Sequence, residues 1–207
     1  MSLAPRFIAS HTLKPVCAST ANVVDLYLDY CCPFCKKLFF NWYEKLISQI
    51  DSEFGPETFQ FRFLHVPQTW HPTSTLMHEV ALAVARLAPE EFFSFSYALF
   101  EQQSRWFDEP TYDKSRSQIY RELADFAEET SGVSASRILE LVAIDTSSGE
   151  AKNLGNAVGK DLKYFTRLHR QNGVHMTPSI AINGILQPSI ESSTPAEDVL
   201  RVLRSHL

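Results

Sequence analysis

Cysteine is scarce in this chain: the 207 residues include four cysteines, and Cys31, Cys32 and Cys35 lie within five positions of one another. So low a count excludes a scaffold held together by disulfide bonds. The fourth cysteine, Cys17, lies apart from the others. The cluster therefore requires a chemical explanation, and the alternatives are a metal site, a structural pair and a reactive pair.

Long basic runs and long apolar runs are also absent. The formal net charge is −5, and no run of Lys or Arg is longer than two residues, which argues against binding of nucleic acid or anionic membranes. No segment approaches the roughly 18 continuous apolar residues of a membrane span. We therefore expect neither nucleic acid nor a membrane among the partners of this protein.

The first twenty residues lack the continuous apolar segment of a secretory signal, because polar residues at positions 10–12 interrupt it. We therefore expect a polar leader ahead of the first strand, and a cytoplasmic protein. Two alternatives stay open. Arg6, Lys14 and the absence of acidic residues before Asp25 are also found in organelle transit peptides, and a secretory signal could have been trimmed from the chain.

The first strong secondary-structure signal is a β-branched and aromatic run at residues 23–30, which predicts a strand. A helix is predicted to begin at Pro33, because proline fits the first helical position, and to continue to about Glu53. Alternating phenylalanines at residues 59–63 predict a second strand. This order predicts a right-handed crossover within a parallel sheet.

Helical periodicity follows over a long stretch. Four apolar stripes predict helices around residues 76–87, 92–100, 119–126 and 138–142. A longer helix is predicted from about Glu150, with Leu154 and Val158 on its apolar face, to Gly173.

The C-terminal residues predict a hairpin and a last helix. Residues 179–182 are predicted to form a strand, and the Asn-Gly pair at 183–184 is the preferred two-residue hairpin turn. Residues 185–186 should then form the returning strand. Residues 194–197 are predicted to form a capping box with Pro195 at the first helical position.

The order βαβ, helical block, αββα predicts an α/β fold with a single sheet. In this interpretation residues 20–68 and 150–207 form one domain, and residues 69–149 form a helical insertion on its side.

The position of Cys32 at the start of the first long helix has a chemical consequence. Free backbone N–H groups and the helix dipole stabilise a thiolate there. Cys35 lies one turn further, within disulfide reach and deeper in the structure. The two residues are thus arranged as a nucleophile and a resolving partner. Cys31 should face the other way, as a packed thiol.

Two other interpretations of the cluster are a metal site and an inert pair of thiols. A zinc site needs four ligands, and His65, His71 and His78 lack the spacing that would complete one. We therefore predict no metal and treat these histidines as ordinary surface or core residues. An inert pair of buried thiols is the second alternative.

The segments VVDLYLDYCCPFC and GVHMTPSIAING resemble the DsbA-like branch of the thioredoxin superfamily. The resemblance implies a thioredoxin-like fold with a helical insertion. It also implies that Cys32, Cys35 and Pro178 are catalytic, that the Thr177–Pro178 bond is cis, and that the backbone of Thr177 pairs with an extended substrate.

Some positions depart from the pattern of this branch. Pro33 and Phe34, which are expected to contact the substrate, leave no histidine between the cysteines, and this implies a milder oxidant. Asp29, three residues before Cys32, is a feature that resembles FrnE-like proteins and kappa-class glutathione transferases. In the transferases, the residue equivalent to Cys32 is usually serine. Asp29 either assists proton transfer with Cys35 or caps the helix.

The sequence therefore predicts a thiol–disulfide oxidoreductase acting on protein or small-molecule disulfides and dithiols. No cofactor is expected, although glutathione is a candidate co-substrate. Two alternatives remain: a glutathione-dependent transferase or isomerase of the kappa-class type, and a non-catalytic binding module with a vestigial Cys-x-x-Cys motif.

Overall fold

The computed structural model describes residues 3–13, 21–147, 149, 151–153 and 155–207. Among these residues, five strands form one mixed sheet in the order β1-β3-β2-β4-β5. The strands are β1 (Thr12–Leu13), β2 (Asn22–Leu28), β3 (Phe59–His65), β4 (Ser179–Ile182) and β5 (Ile185–Leu186). Cys17 lies outside the described residues.

The centre of the sheet is the parallel pair β2 and β3, aligned from Asn22 opposite Phe59 to Leu28 opposite His65. β4 pairs antiparallel with β2, and β1 pairs antiparallel with β3. The predicted parallel crossover is therefore confirmed. Because both central strands end at the same edge, the residues that follow Leu28 and His65 are brought together there.

The predicted helix after β2 is confirmed. It runs as α2 (Pro33–Asn41), a π-helical stretch (Trp42–Leu46) and α3 (Ile47–Phe54). It ends where Gly55 takes a φ of +93°, a conformation that other residues rarely adopt.

Four helices after β3 match the four predicted stripes. They are α4 (Ser74–Leu87), α5 (Phe92–Glu101), α7 (Arg116–Ser131) and α8 (Ala135–Val142). The short helix α6 (Asp108–Thr111) and single 3-10 turns at Pro89–Glu91 and Gln103–Trp106 were not predicted. They occupy the part of the chain in which the helical insertion is predicted, and the domain boundaries stay a prediction. No described helix is both long enough and apolar enough to cross a membrane.

The predicted start of the next helix at about Glu150 is wrong. α9 begins at Gly159 and ends at Gln171, and the described residues between 151 and 158 are not helical. Gly155 has a φ of +72°, which no α-helix accommodates. Glu150 and Leu154 themselves lie outside the described residues.

The predicted hairpin is confirmed, whereas the predicted capping box is wrong. Asn183 and Gly184 both have positive φ, of 52° and 81°. α10 (Ala196–Arg204) has Pro195 at its N-cap, not at its first helical position. The hydroxyl of Thr194 accepts a hydrogen bond from the backbone N–H of Glu191 at 2.8 Å, so it serves the preceding turn instead of the helix.

The prediction of a polar leader ahead of the first strand is wrong, because the N-terminal segment is ordered and packs into the core. A 3-10 turn (Pro5–Phe7) leads into α1 (Ile8–His11) and then into β1. Phe7 is buried with its ring 4.7 Å from that of Phe165, and the ring of His11 stacks on Phe92 at 4.2 Å. The polar residues that interrupt the apolar run are thus partly core residues, and periodicity cannot show this for so short an element.

Candidate active site

Cys32 occupies the N-cap of α2. β2 ends at Leu28, and a tight turn follows in which the backbone N–H of Cys32 donates to the carbonyl of Asp29 at 3.1 Å. Pro33 then takes the first helical position, as predicted. The sulfur of Cys32 is therefore placed at the positive end of the helix, where the first backbone N–H groups lack partners within the helix.

The surroundings of Cys32 favour its thiolate. A hydrogen bond from the Cys35 thiol, together with the backbone N–H groups of Cys35 and Phe34, lowers the pKa of Cys32 to about 6. Burial and the negative charge of Asp29 oppose this shift. The donors outweigh both, so much of Cys32 is ionised at neutral pH.

Cys35 is in the opposite condition. None of its surface is exposed, and burial, followed by the proximity of Cys32, raises the pKa of its thiol well above the ordinary value. The backbone N–H of Asp29 donates to its sulfur at 3.3 Å. One sulfur is thus ready to attack, while the other stays protonated and protected.

The loop before β4 completes this arrangement. The Thr177–Pro178 peptide bond, which the resemblance implies to be cis, is cis. The carbonyl of Thr177 lies 3.7 Å from the sulfur of Cys32. Gln68, which follows β3, donates to the hydroxyl of Thr177 at 3.3 Å and so ties this loop to the end of the sheet.

Apolar side chains are exposed on three segments that adjoin Cys32. Phe34 lies within the Cys-x-x-Cys motif, Met176 lies in the loop of Pro178, and Trp70 lies next to His71; more than half of each side chain is exposed. A cavity of about 360 Å³ opens beside Pro178 and is lined by Met176, among others. Such a surface can receive an apolar substrate segment.

Asp29 is fully buried and saturated with hydrogen-bond donors. Its Oδ1 accepts from the backbone N–H of Cys31 at 3.2 Å and from the hydroxyl of Ser74 at 2.5 Å. Its Oδ2 accepts from Nδ1 of His71 at 2.6 Å, and Nε2 of His78 lies 3.4 Å from Oδ1. Burial alone would raise the pKa of this carboxyl, but the nearby His78 ring and the hydrogen bonds from Ser74 and His71 lower it below the ordinary value.

These contacts exclude one of the two interpretations of Asp29, the helix cap. The carboxylate does not cap α2, because the N-cap residue is Cys32 and the bonded N–H belongs to Cys31, ahead of the helix. Asp29 instead holds the turn that presents the cysteines.

A buried row of histidines extends from Asp29 into the core. Nδ1 of His78 lies 2.6 Å from Nδ1 of His65, and Nε2 of His65 lies 2.8 Å from Nε2 of His11. Nδ1 of His11 lies 2.7 Å from the hydroxyl of Ser10. All three rings are fully buried. His65 and His78 are core residues and His71 is partly exposed, as expected, but all three lie in one network around Asp29 that their spacing in the sequence does not predict.

The sequence held a partial signal for this network. Ser74 and His78 are four residues apart on α4 and so share one face, and His65 ends the strand that is paired with β2. No described group of three or more His, Cys, Asp or Glu side chains has a geometry that could hold a metal ion.

Cys31 faces the helical insertion, as expected for a packed thiol. Its sulfur lies 3.4 Å from the hydroxyl of Thr73 and 3.3 Å from the sulfur of Met77. Burial raises the pKa of the Cys31 thiol to about 12. Cys31, Cys32 and Cys35 are all free in the structure.

Residues 18–199 match a family model described as thioredoxin. A comparison with curated proteins gives no match. Among solved structures, the chain is similar to a proposed protein-disulfide isomerase from Pseudomonas syringae, with a TM-score of 0.74 and 22% identity over 95% of this chain and 99% of the other.

Two further solved structures share the fold. BdbD from Bacillus subtilis, in its oxidised form, has a TM-score of 0.65 and 17% identity over 95% of this chain and 92% of its own. The thiol–disulfide exchange protein alpha-DsbA2 from Wolbachia pipientis has a TM-score of 0.64 and 17% identity over 97% and 88%. The predicted thioredoxin-like fold with a helical insertion is confirmed.

The pKa values predict selective alkylation. With iodoacetamide, Cys32 should react first, with a rate that rises to half its maximum near pH 6, whereas Cys31 and Cys35 should stay unmodified at pH 7 in the folded protein. In a Cys35→Ala variant, the half-maximum should move to higher pH, because the Cys35 thiol is the strongest donor to the thiolate and alanine offers no donor in its place. A half-maximum at pH 8.5 or above in the unaltered protein would contradict this ordering.

The buried histidines predict a loss of stability in mild acid. Burial lowers the pKa of His11 to about 3 and also lowers the pKa values of His65 and His78. Below about pH 6.5 the unfolded chain therefore binds more protons than the folded protein. The free energy of unfolding should decrease as the pH decreases, by at most about 1.4 kcal/mol per pH unit for each histidine. Urea unfolding between pH 7.5 and 5 measures this slope.

The control is His11→Phe, which keeps an aromatic ring against Phe92. This variant should reduce the pH dependence of the free energy of unfolding by the contribution of one histidine, at most about 1.4 kcal/mol per pH unit. Asp25 acts in the opposite direction, since burial raises its carboxyl pKa to about 6, but one aspartate does not cancel three histidines. A midpoint that is constant from pH 7.5 to 5 would show that the histidines are not neutral in the folded protein.

Proposed function

The chain belongs to the thioredoxin family, and on that premise we propose that it is a thiol–disulfide oxidoreductase whose reactive groups are Cys32 and Cys35. The observation that carries the proposal is the contrast between the two sulfurs. Cys32 has a thiol pKa of about 6 at a helix N-terminus, and the fully buried Cys35 donates to it.

In the proposed reaction, the thiolate of Cys32 attacks one sulfur of a substrate disulfide. A mixed disulfide forms, and the second substrate sulfur leaves with the electron pair and takes up a proton. Cys35 then gives up its proton and attacks the sulfur of Cys32. The first substrate sulfur leaves with the electron pair of the broken bond and takes up a proton, and a Cys32–Cys35 disulfide remains. The reverse sequence oxidises a dithiol.

The surface around Cys32 suits an extended segment of a protein or peptide. Thr177 and Pro178 lie beside the sulfur, and the backbone of Thr177 is proposed to pair with the substrate as an added strand. Pro33 and Phe34 border the other side, and the exposed ring of Phe34 offers apolar contact. Small-molecule disulfides can reach the same sulfur.

The proposal requires no bound cofactor, because the two sulfurs carry both electrons; glutathione would enter as a co-substrate. The negative charge of Asp29 works against the Cys32 thiolate and so favours the disulfide form, which supports a milder oxidant than the branch archetype. Asp29 is proposed to assist proton transfer at the site, although the group of Asp29 that contacts Cys35 is its backbone N–H and not its carboxylate. A cytoplasmic location stays a prediction.

The proposed function predicts which variants trap a mixed disulfide. When the reduced protein is mixed with oxidised glutathione or with a disulfide-bonded protein, Cys35→Ser should accumulate a stable adduct on Cys32, because the resolving thiol is missing. Cys32→Ser should form none. Mass spectrometry of intact protein measures both outcomes, and Cys31→Ser serves as the control that behaves like the unaltered protein.

Two results would contradict the proposal. Conjugation of glutathione to an electrophile without any exchange with disulfides would favour a glutathione-dependent transferase or isomerase. Absence of adducts in every variant, together with an inert Cys32, would favour a binding module with a vestigial motif.

A further inference from the structure

His71 forms a pair with Asp29 that the proposed exchange between Cys32 and Cys35 does not use. Its Nδ1 is 2.6 Å from Oδ2 of Asp29, and 24% of its side chain is exposed. It also lines a cavity of about 320 Å³ together with Cys31 and Pro33. His71 therefore joins the buried carboxylate to the space beside the start of α2.

The other oxygen of Asp29 fixes the state of this pair. Oδ1 receives the backbone N–H of Cys31 and the hydroxyl of Ser74 and faces Nε2 of His78. An ionised carboxylate can only accept hydrogen bonds. His71 must therefore present its Nδ1–H to Oδ2. On the inner side, Nε2 is the nitrogen of His78 that faces Oδ1, at 3.4 Å.

The row of buried histidines closes the inner side of Asp29 to proton exchange. If His78 carries its proton on Nε2, its Nδ1 must accept from Nδ1–H of His65. Nε2 of His65 must then accept from Nε2–H of His11, and Nδ1 of His11 from the hydroxyl of Ser10. Every hydrogen bond in the row points towards Asp29. A second proton on any of these rings would place a charge in the core.

The outer side differs, because the ring of His71 reaches the surface. With Nδ1–H bound to Asp29, the lone pair of Nε2 lies on the far side of the ring from the carboxylate. A carboxylate that holds one imidazole nitrogen and so prepares the other for proton transfer is the arrangement of an Asp–His acid–base pair.

We propose that Asp29 and His71 form a general acid–base dyad for thiol–disulfide exchange, in which Nε2 of His71 protonates the sulfur that leaves the substrate. This inference rests on the proposed function. His71 is the proton-transfer residue, and Asp29, held by Ser74 and His78, is a positioning residue.

The Cys32 thiolate forms a bond to one substrate sulfur, the substrate S–S bond breaks, and the electron pair stays on the departing sulfur. That sulfur takes the proton from Nε2 of cationic His71, which becomes neutral with Nδ1–H still bound to Asp29. Solvent returns the proton to the exposed ring. In the oxidising direction, neutral His71 accepts the proton of the incoming thiol.

The cavity contains other charged groups. Asp108 and Glu109 of α6 line it beside His71, and Asp29 lies behind the ring.

General acid assistance can be separated from a structural role by the choice of disulfide. An alkyl disulfide releases a basic thiolate that benefits from a proton, whereas an aromatic disulfide such as 5,5′-dithiobis(2-nitrobenzoate) releases a weakly basic one that does not. The variant His71→Asn keeps an N–H donor for Asp29 but has no titratable nitrogen.

The experiment measures single-turnover rates of reduced protein with both reagents. For His71→Asn we expect a loss of about 10- to 100-fold with the dialkyl disulfide of oxidised glutathione, and a change of less than about twofold with the aromatic disulfide. Asp29→Asn should lose rate with the alkyl disulfide as well. The matched control His206→Asn, far along the chain at the C-terminus, should match the unaltered protein with both reagents.

Iodoacetamide alkylation of Cys32 monitors the nucleophile and the fold in each variant. Equal slowing of His71→Asn with both disulfides, or no slowing with either, would overturn the dyad. Failure of the unaltered protein to react with either disulfide would instead overturn the proposed function, so the two failures are distinguishable.

Discussion

A carboxylate that is buried at the end of a central strand needs hydrogen-bond donors for its lone pairs, and Asp29 takes them from separate parts of the chain. The turn into α2 supplies the N–H of Cys31, helix α4 supplies Ser74 and His78, and the loop before α4 supplies His71. These contacts fasten the turn that carries the cysteines to the helical insertion. The row that begins at His78 continues to the N-terminal segment. Loss of the carboxylate would therefore loosen the turn, the insertion and the N-terminal segment together.

The same carboxylate takes part in the balance that makes the two sulfurs unequal. Its charge disfavours a thiolate at Cys32, while the thiol of Cys35 and the first N–H groups of α2 favour it. Because the donors win, the pKa of Cys32 falls to about 6 and not further. Cys35 has no comparable set of donors and is fully buried, so its proton is retained until Cys32 is engaged. The helix start supplies the reactivity, and Asp29 limits it.

The parts of the site that were predictable from the sequence depend on local rules. Pro33 fixes where α2 begins, and this alone places Cys32 at the N-cap. Asn183 and Gly184 fix the hairpin, because few other residues accept positive φ at both positions. The parallel pairing of β2 and β3 followed from the order of the elements.

What the sequence did not predict depends on contacts between distant residues. His11 and His65 meet across 54 positions, and no spacing rule relates them. The predictions of the start of α9 and of a capping role for Thr194 were wrong for another reason. The left-handed backbone of Gly155 prevents a helix from continuing through that residue. The hydroxyl of Thr194 is bonded within the preceding turn and does not cap α10. The short N-terminal elements gain their order from packing against Phe92 and Phe165, which periodicity does not report.

The most direct test of the central claim is the reduction potential of the Cys32–Cys35 pair, measured by equilibration with glutathione buffers. A Cys32 pKa of about 6 lies between the values of about 7 and about 3.5 found in thioredoxin and DsbA. We therefore expect one reversible two-electron couple, with a potential between about −270 and −120 mV and with Cys31 free throughout. Absence of a reversible couple, or a disulfide that contains Cys31, would contradict the account.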